Sequence, residues 1–426
     1  MTEIQPFNGI IYNQEKIRDL SRVVCPPYDV ISAVRQKHYL ALDGHNLIHI
    51  LLGKDVPGED KYRRAADYFN SWIKEGILRQ DEQPAVYFYI QQYKLKGESK
   101  TRMGFISLLG LGSADSCVFA HEHTRLEPKE DRFKLIKRVK ANLSPIFVVF
   151  PDSKRIIQRI YQKYIADKKP FIEINDDEKV LHKVWRIDDP RALEEIKERV
   201  HNEDIFIADG HHRYEVACMY RDQMRGKLAA PTGRESFNYI MAYFTSADSR
   251  GLSILPIHRL IQLSPQFNMD SFKLKLRDYF DIEEVKDSVR FMFLMEKAGA
   301  SEHVLGMYKD KKYWLLRLKN VKILDRMTQD KPLEYKSLDV TILNYIIIKK
   351  VLGMGLDDKA DIEFIHDANE LIKRVDSDPG YIAFLLNPVK MRQIMSLALK
   401  GERMPAKSTY FYPKVLSGLV IHKHQT

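Results

Sequence analysis

The chain has 426 residues, 44% of them hydrophobic and 30% charged, with 20 Gly and 18 Pro. This excludes collagen-like, low-complexity and wholly disordered classes, and the length calls for two domains or one with large insertions. Lys plus Arg (68) against Asp plus Glu (58) leaves a formal charge of +10, but the two signs are interleaved, which suits phosphate-bearing small molecules better than a nucleic-acid tail.

The N-terminus carries Glu3, Glu15, Lys16 and Arg18 without an apolar h-region, so no secretory signal is read there. No apolar run approaches the roughly 18 residues of a transmembrane helix. Cys25, Cys117 and Cys218 are far apart and odd in number, which suggests neither a disulfide framework nor a zinc site. A cytoplasmic protein without a membrane partner is expected.

In chain order, Pro26 and Pro27 force an extended lead into Tyr28 and Asp29. Apolar spacing over 60–76 predicts a helix stopped by Gly76. The runs 85–95 and 101–111, separated by KGESK, predict an antiparallel hairpin. A helix is expected over 128–140, then a strand at 146–150, a strand at 180–187, a helix at 190–200 and a strand at 205–208. Strands at 237–244 and 254–260 follow, and shorter helices and strands alternate to the end without a fixed repeat. These elements predict an α/β or α+β protein with a mixed sheet. The boundary is set near Leu263, giving a catalytic core at 1–263 and a second α/β region at 264–426 whose segment 404–420 returns to the site.

IFIADGHHRYEVACMY is the most informative stretch. An apolar strand ending in Asp209-Gly210 and followed at once by a helix aims free backbone N–H groups and the positive end of the helix dipole at one point. His211, His212 and Arg213 in the first turn add two titratable donors and a guanidinium fork, which is equipment for a di- or polyphosphate. By contrast, Asp43-Gly44-His45 lacks both a preceding apolar strand and a following arginine and reads as a turn. No P-loop, kinase Gly-rich loop or dinucleotide fingerprint occurs. Further phosphate ligands are therefore sought in Lys407, Ser408 and Thr409 of MPAKSTYFYPK, and in Arg102.

ADGHHRYE resembles the signature of a bacterial and archaeal family catalogued as a domain of unknown function, and the resemblance extends to CPPYDVIS at 25–32, HEHT at 121–124 and MPAKSTYFYPKVLSGLV at 404–420. The turn also looks like that of the ParB/sulfiredoxin superfamily, which implies a ParB/sulfiredoxin-like core with large additions. The resemblance implies a kinase that phosphorylates free L-serine with inorganic pyrophosphate.

Within that implied reaction Glu122 is the candidate proton acceptor, because an extended His121-Glu122-His123 segment would turn Glu122 to one side and both histidines to the other. His211 is a second catalytic candidate. Tyr28, Asp29, His123 and Thr124 are candidates for substrate binding. Magnesium is the expected cofactor, with Asp209 or Asp29 as its carboxylate. Two rival readings are a ParB-like nucleotide- or DNA-binding regulator, against which no helix-turn-helix or concentrated basic tract is found, and a phosphatase or nuclease using the same turn. ADP or ATP could replace pyrophosphate as donor.

Overall fold

The structure is a computed structural model and describes residues 1–112, 117–124, 126–355 and 361–425. It divides into two compact units, one comprising Met1–Ala120, Thr124–Ser253 and Pro413–Thr426, the other His121–His123 and Ile254–Tyr412. The division after Ser253 lies ten residues before the boundary read from the sequence. The last fourteen residues of the chain are counted with the first unit.

The first unit is built on a nine-stranded mixed sheet. Its centre is the hairpin Val86–Leu95 and Glu98–Gly110, paired antiparallel from Tyr87 opposite Ile106 to Leu95 opposite Glu98. The loop is shorter than the sequence suggested, because Lys96 (φ 51) and Gly97 (φ 83) both take the left-handed conformation of a two-residue hairpin turn. Tyr239–Ser246 joins antiparallel to the second hairpin strand and parallel to Ile146–Phe150. Ile205–Asp209 then adds antiparallel to Ile146–Phe150. On the other side come Leu181–Ile187 and Ile172–Asn175.

The strands are nearly continuous apolar runs because the sheet is covered on both faces. Phe88, Phe105, Val148, Phe150, Ile207 and Phe244 share one core with Ile156, Ile160, Ile196 and Ala217 from the helices. The helix Lys61–Lys74 forms where its apolar spacing required, capped by Asp60, which accepts from the amides of Tyr62 and Arg63. The helix at 128–140 appears as Leu126–Val139.

The second unit holds a six-stranded antiparallel sheet in the order Phe280–Val285, Lys312–Leu318, Val304–Lys309, Tyr381–Leu385, His258–Gln262 and Ile362–Ile365. Helices Ser288–Ala298 and Ala368–Ser377 cover one face through Phe291, Met295, Leu371 and Val375. The class is thus mixed α/β, with strands distant in sequence brought side by side. Among the described residues no helix is long and apolar enough to cross a membrane.

Candidate functional site

The strand Ile205–Asp209 buries Ile205 through Ala208 and shifts register against its neighbour between Ile207 and Asp209. Gly210 follows at φ 93 and precedes the helix His211–Arg225. Only glycine fits here. A Cβ would sit in left-handed space, 3.0 Å from the Arg213 guanidinium and 3.0 Å from Ile146 Cγ2. Gly210 stands at the N-cap and has no side chain to offer this helix start, which is the kind of terminus where anions are received. Val216, Ala217 and Tyr220 turn the helix toward the core, His211 is buried in its first turn, and His212 is half-buried.

Asp209 is the electrostatic centre. It accepts from Arg213 Nη2 at 2.7 Å and from Lys414 Nζ. Burial alone would push its carboxyl up, but the opposing charges of Lys414 and Arg213 hold it well below the ordinary carboxylate range. Arg213 also donates through Nη1 to the Pro145 carbonyl, and its Nε is buried without a hydrogen-bond partner among the described residues. Two cations therefore converge on one carboxylate at the start of a helix. In the sequence Lys414 stands only as the lysine beyond Pro413, behind the Lys-Ser-Thr cluster, yet it is the one that contacts Asp209.

Arg102, expected to bind phosphate, is instead enclosed. It is fully buried, with Nε donating to Gln91 Oε1 at 3.1 Å and Nη2 to the Pro413 carbonyl at 2.5 Å, over the Phe147 ring. An alternating strand places it on a buried face, which spacing alone did not reveal.

The extended lead is present at Pro27 (φ −62, ψ 150), and Tyr28 then opens a short 3-10 turn, Tyr28–Val30. Burial and then the Asp29 charge raise its hydroxyl above the usual range, and Arg213 and Asp209 both act on it electrostatically. The Arg132 guanidinium lies 4.3 Å from the Tyr28 ring centre. Asp29 is exposed. Thr124 donates to Glu215 Oε2 at 2.5 Å, and Lys129 Nζ reaches the same oxygen at 3.0 Å. Glu215 lies one helical turn beyond His211, so Thr124 and Lys129 meet the helix of the ADGHHRYE motif within the first unit. Lys129 and Arg132, three residues apart on Leu126–Val139, were not singled out from sequence because nothing in a charged helix marks which side faces a site.

The remaining candidates belong to the second unit. Glu122 forms an isolated parallel bridge with Met404, whose amide donates to the His121 carbonyl at 2.7 Å. Glu122 Oε1 accepts from the Lys407 amide at 3.4 Å, so two motifs 280 residues apart meet here. The alternation expected of the segment is not kept, since His121 is buried and His123 exposed. Lys407 is exposed in a left-handed conformation (φ 57), and its carbonyl accepts from Arg259 at 3.0 Å. Ser408 is buried and donates to the Pro405 carbonyl, and Thr409 is half-buried.

Among the described residues no three His, Cys, Asp or Glu side chains gather as a metal cage. Asp209, the carboxylate expected to hold magnesium, has cations on both oxygens.

The chain belongs to the family described as "Protein of unknown function (DUF1015)", whose model matches residues 4–341. No curated protein matches it. Solved structures similar to the chain include a free serine kinase variant in complex with ADP, at 11% identity and TM-score 0.34 over 69% of this chain and 84% of that one. Another is SbnI with a C-terminal truncation from Staphylococcus aureus, at 10% identity and TM-score 0.35 over 73% and 85%. A third is a conserved hypothetical protein from Pyrococcus furiosus, at 11% identity and TM-score 0.32 over 70% and 88%.

Proposed function

We propose that this chain is a phosphotransferase that moves a phosphoryl group from inorganic pyrophosphate to the hydroxyl of free L-serine, giving O-phospho-L-serine and phosphate. The observation that carries the phosphate half of the reading is the convergence of Lys414 and Arg213 on Asp209 beside the glycine-led start of a helix. A carboxylate held by two cations marks where an anion is stabilised, and the amides of His211 and His212 extend that field. The serine and pyrophosphate half rests on the sequence motifs, as does the kinship of the turn to ParB/sulfiredoxin-like proteins.

In the proposed step the serine oxygen attacks the terminal phosphorus, a P–O bond forms, and the bridging P–O bond breaks with its electron pair leaving on phosphate. The hydroxyl proton passes to a base, for which Glu122 is proposed. His211, in the first helical turn, is proposed to donate to the phosphate oxygens together with Arg213 and Lys414, where negative charge is held through transfer. Magnesium is proposed to arrive on the diphosphate, since such ions keep most of their water and need few protein ligands. It would neutralise phosphate charge, and no step is assigned to a protein-held ion.

The test is incubation with Mg²⁺ and L-serine against pyrophosphate, ADP and ATP in separate reactions, followed by ³¹P detection of phosphoserine. Phosphoserine from pyrophosphate supports the proposal, and phosphoserine only from a nucleotide changes the donor. Free phosphate without phosphoserine identifies a hydrolase. No turnover with any donor, together with sub-micromolar and strongly salt-dependent DNA binding, overturns the kinase reading.

A further inference from the structure

The backbone at Pro413-Lys414 is held by two side chains of the central hairpin. On the central hairpin Gln91 and Arg102 stand directly opposite each other, and both are fully buried. Arg102 donates to Gln91 Oε1 and, through Nη2, to the Pro413 carbonyl at 2.5 Å. Gln91 Nε2 in turn donates to the Lys414 carbonyl at 2.9 Å. Two consecutive carbonyls of the C-terminal segment are thus fixed by two side chains that also fix each other. The Phe147 ring lies 4.5 Å from the guanidinium carbon.

Burying a guanidinium costs several kcal/mol before its hydrogen bonds offset that cost, and apolar side chains of similar size would hold the same strands at least as well. Cohesion of the sheet is therefore a weak reason for this pair. What the pair does that Leu or Met could not is donate hydrogen bonds to the Pro413 and Lys414 carbonyls. Lys414 Nζ then falls on Asp209 at the far end of its side chain.

The geometry points to Arg102 and Gln91 as positioning residues that act through Lys414: by fixing the Pro413-Lys414 backbone they set the strength with which the Asp209 turn holds a diphosphate-class anion. This rests on the reading of the turn as a phosphate site.

A double-mutant cycle tests it. Inorganic pyrophosphate with Mg²⁺ is titrated calorimetrically into the full chain as wild type, Lys414→Met, Gln91→Met and the double variant, with melting temperatures measured alongside and all titrations run well below them. Each single substitution is expected to weaken pyrophosphate binding about 10-fold, the size of one hydrogen bond to a charged group. The double variant should bind no worse than Lys414→Met, because a residue acting only through Lys414 has nothing left to act on.

Multiplying penalties, near 100-fold in the double variant, would make Gln91 a general stabiliser and overturn the inference. So would unchanged binding in Gln91→Met beside a loss in Lys414→Met, which leaves the phosphate-site reading intact. Absence of pyrophosphate binding by the wild-type chain overturns that reading and this inference together. If Gln91→Met does not fold, Arg102→Lys, which keeps the charge but loses the fork, enters the same cycle with the same outcomes.

Discussion

Gly210 and Glu122 are the two positions where single atoms decide most. Gly210→Ala adds a methyl group in left-handed space, 3.0 Å from both Arg213 and Ile146. The backbone term alone is about 1–2 kcal/mol, and the crowded guanidinium must also shift. The variant should lose about 1–3 kcal/mol in denaturant melts and bind pyrophosphate more weakly. Wild-type stability and affinity together would show that the turn does not need glycine. Glu122→Gln keeps the acceptor toward the Lys407 amide but removes the proton acceptor. If Glu122 is the general base, turnover falls by roughly 10²–10⁴ with serine affinity little changed. Near-normal turnover would move the base to another residue.

At the scale of elements, the C-terminal strand His422–Lys423 carries an acid-sensitive device. His422 and His424 are buried beside each other, at 5.3 Å between ring centres, with the Tyr220 ring against His424. Burial lowers the pKa of His422 to about 4 and, with the neighbouring His422 adding to it, that of His424 to about 3. The unfolded chain takes up protons below about pH 6.5, while the folded strand does not until about 4. Their contribution is therefore intact above pH 6.5 and is lost as pH falls from 6.5 toward 4, on the order of 3 kcal/mol per histidine. Hydrogen exchange, corrected for its intrinsic rate, should rise at 420–425 between pH 7 and 5. Protection that stays constant across that range would refute the assignment.

For the whole molecule, the two units respond to pH through different groups. In the second unit His258 accepts from the Leu386 amide through Nδ1 at 3.1 Å and is held down to about 4 by burial, so it too weakens the fold on acidification. Asp339 works the other way. Burial raises its carboxyl to about 7, against hydrogen bonds from Asn387 that lower it. An acid whose folded pKa is raised contributes most below its unfolded value near 4, and that contribution is lost as pH rises through 7. Asp339→Asn should therefore stabilise the protein at pH 8 by up to about 4 kcal/mol and leave it nearly unchanged at pH 4. Equal effects at both pH values would show that Asp339 is not a buried acid.

Local pattern alone was enough for several elements and for the turn at Asp209-Gly210 that the proposed site is built on. Two apolar runs around Lys96-Gly97 have to pair as a hairpin, the spacing of Tyr62, Ala65, Phe69 and Trp72 has to be a helix, and Asp209-Gly210 between an apolar strand and an amphipathic helix has to be a strand-to-helix turn. Each follows from periodicity or backbone freedom within a few residues. Partners distant in the chain were not legible. Nothing near Arg102 says that its guanidinium lies under Pro413, and nothing near Lys414 says that it closes on Asp209, 205 positions away. Those choices depend on which strands become neighbours and which face of each is covered. A side chain of one polarity can bind an anion or brace a carbonyl, and only the tertiary packing decides between the two by fixing what lies within 3 Å of it.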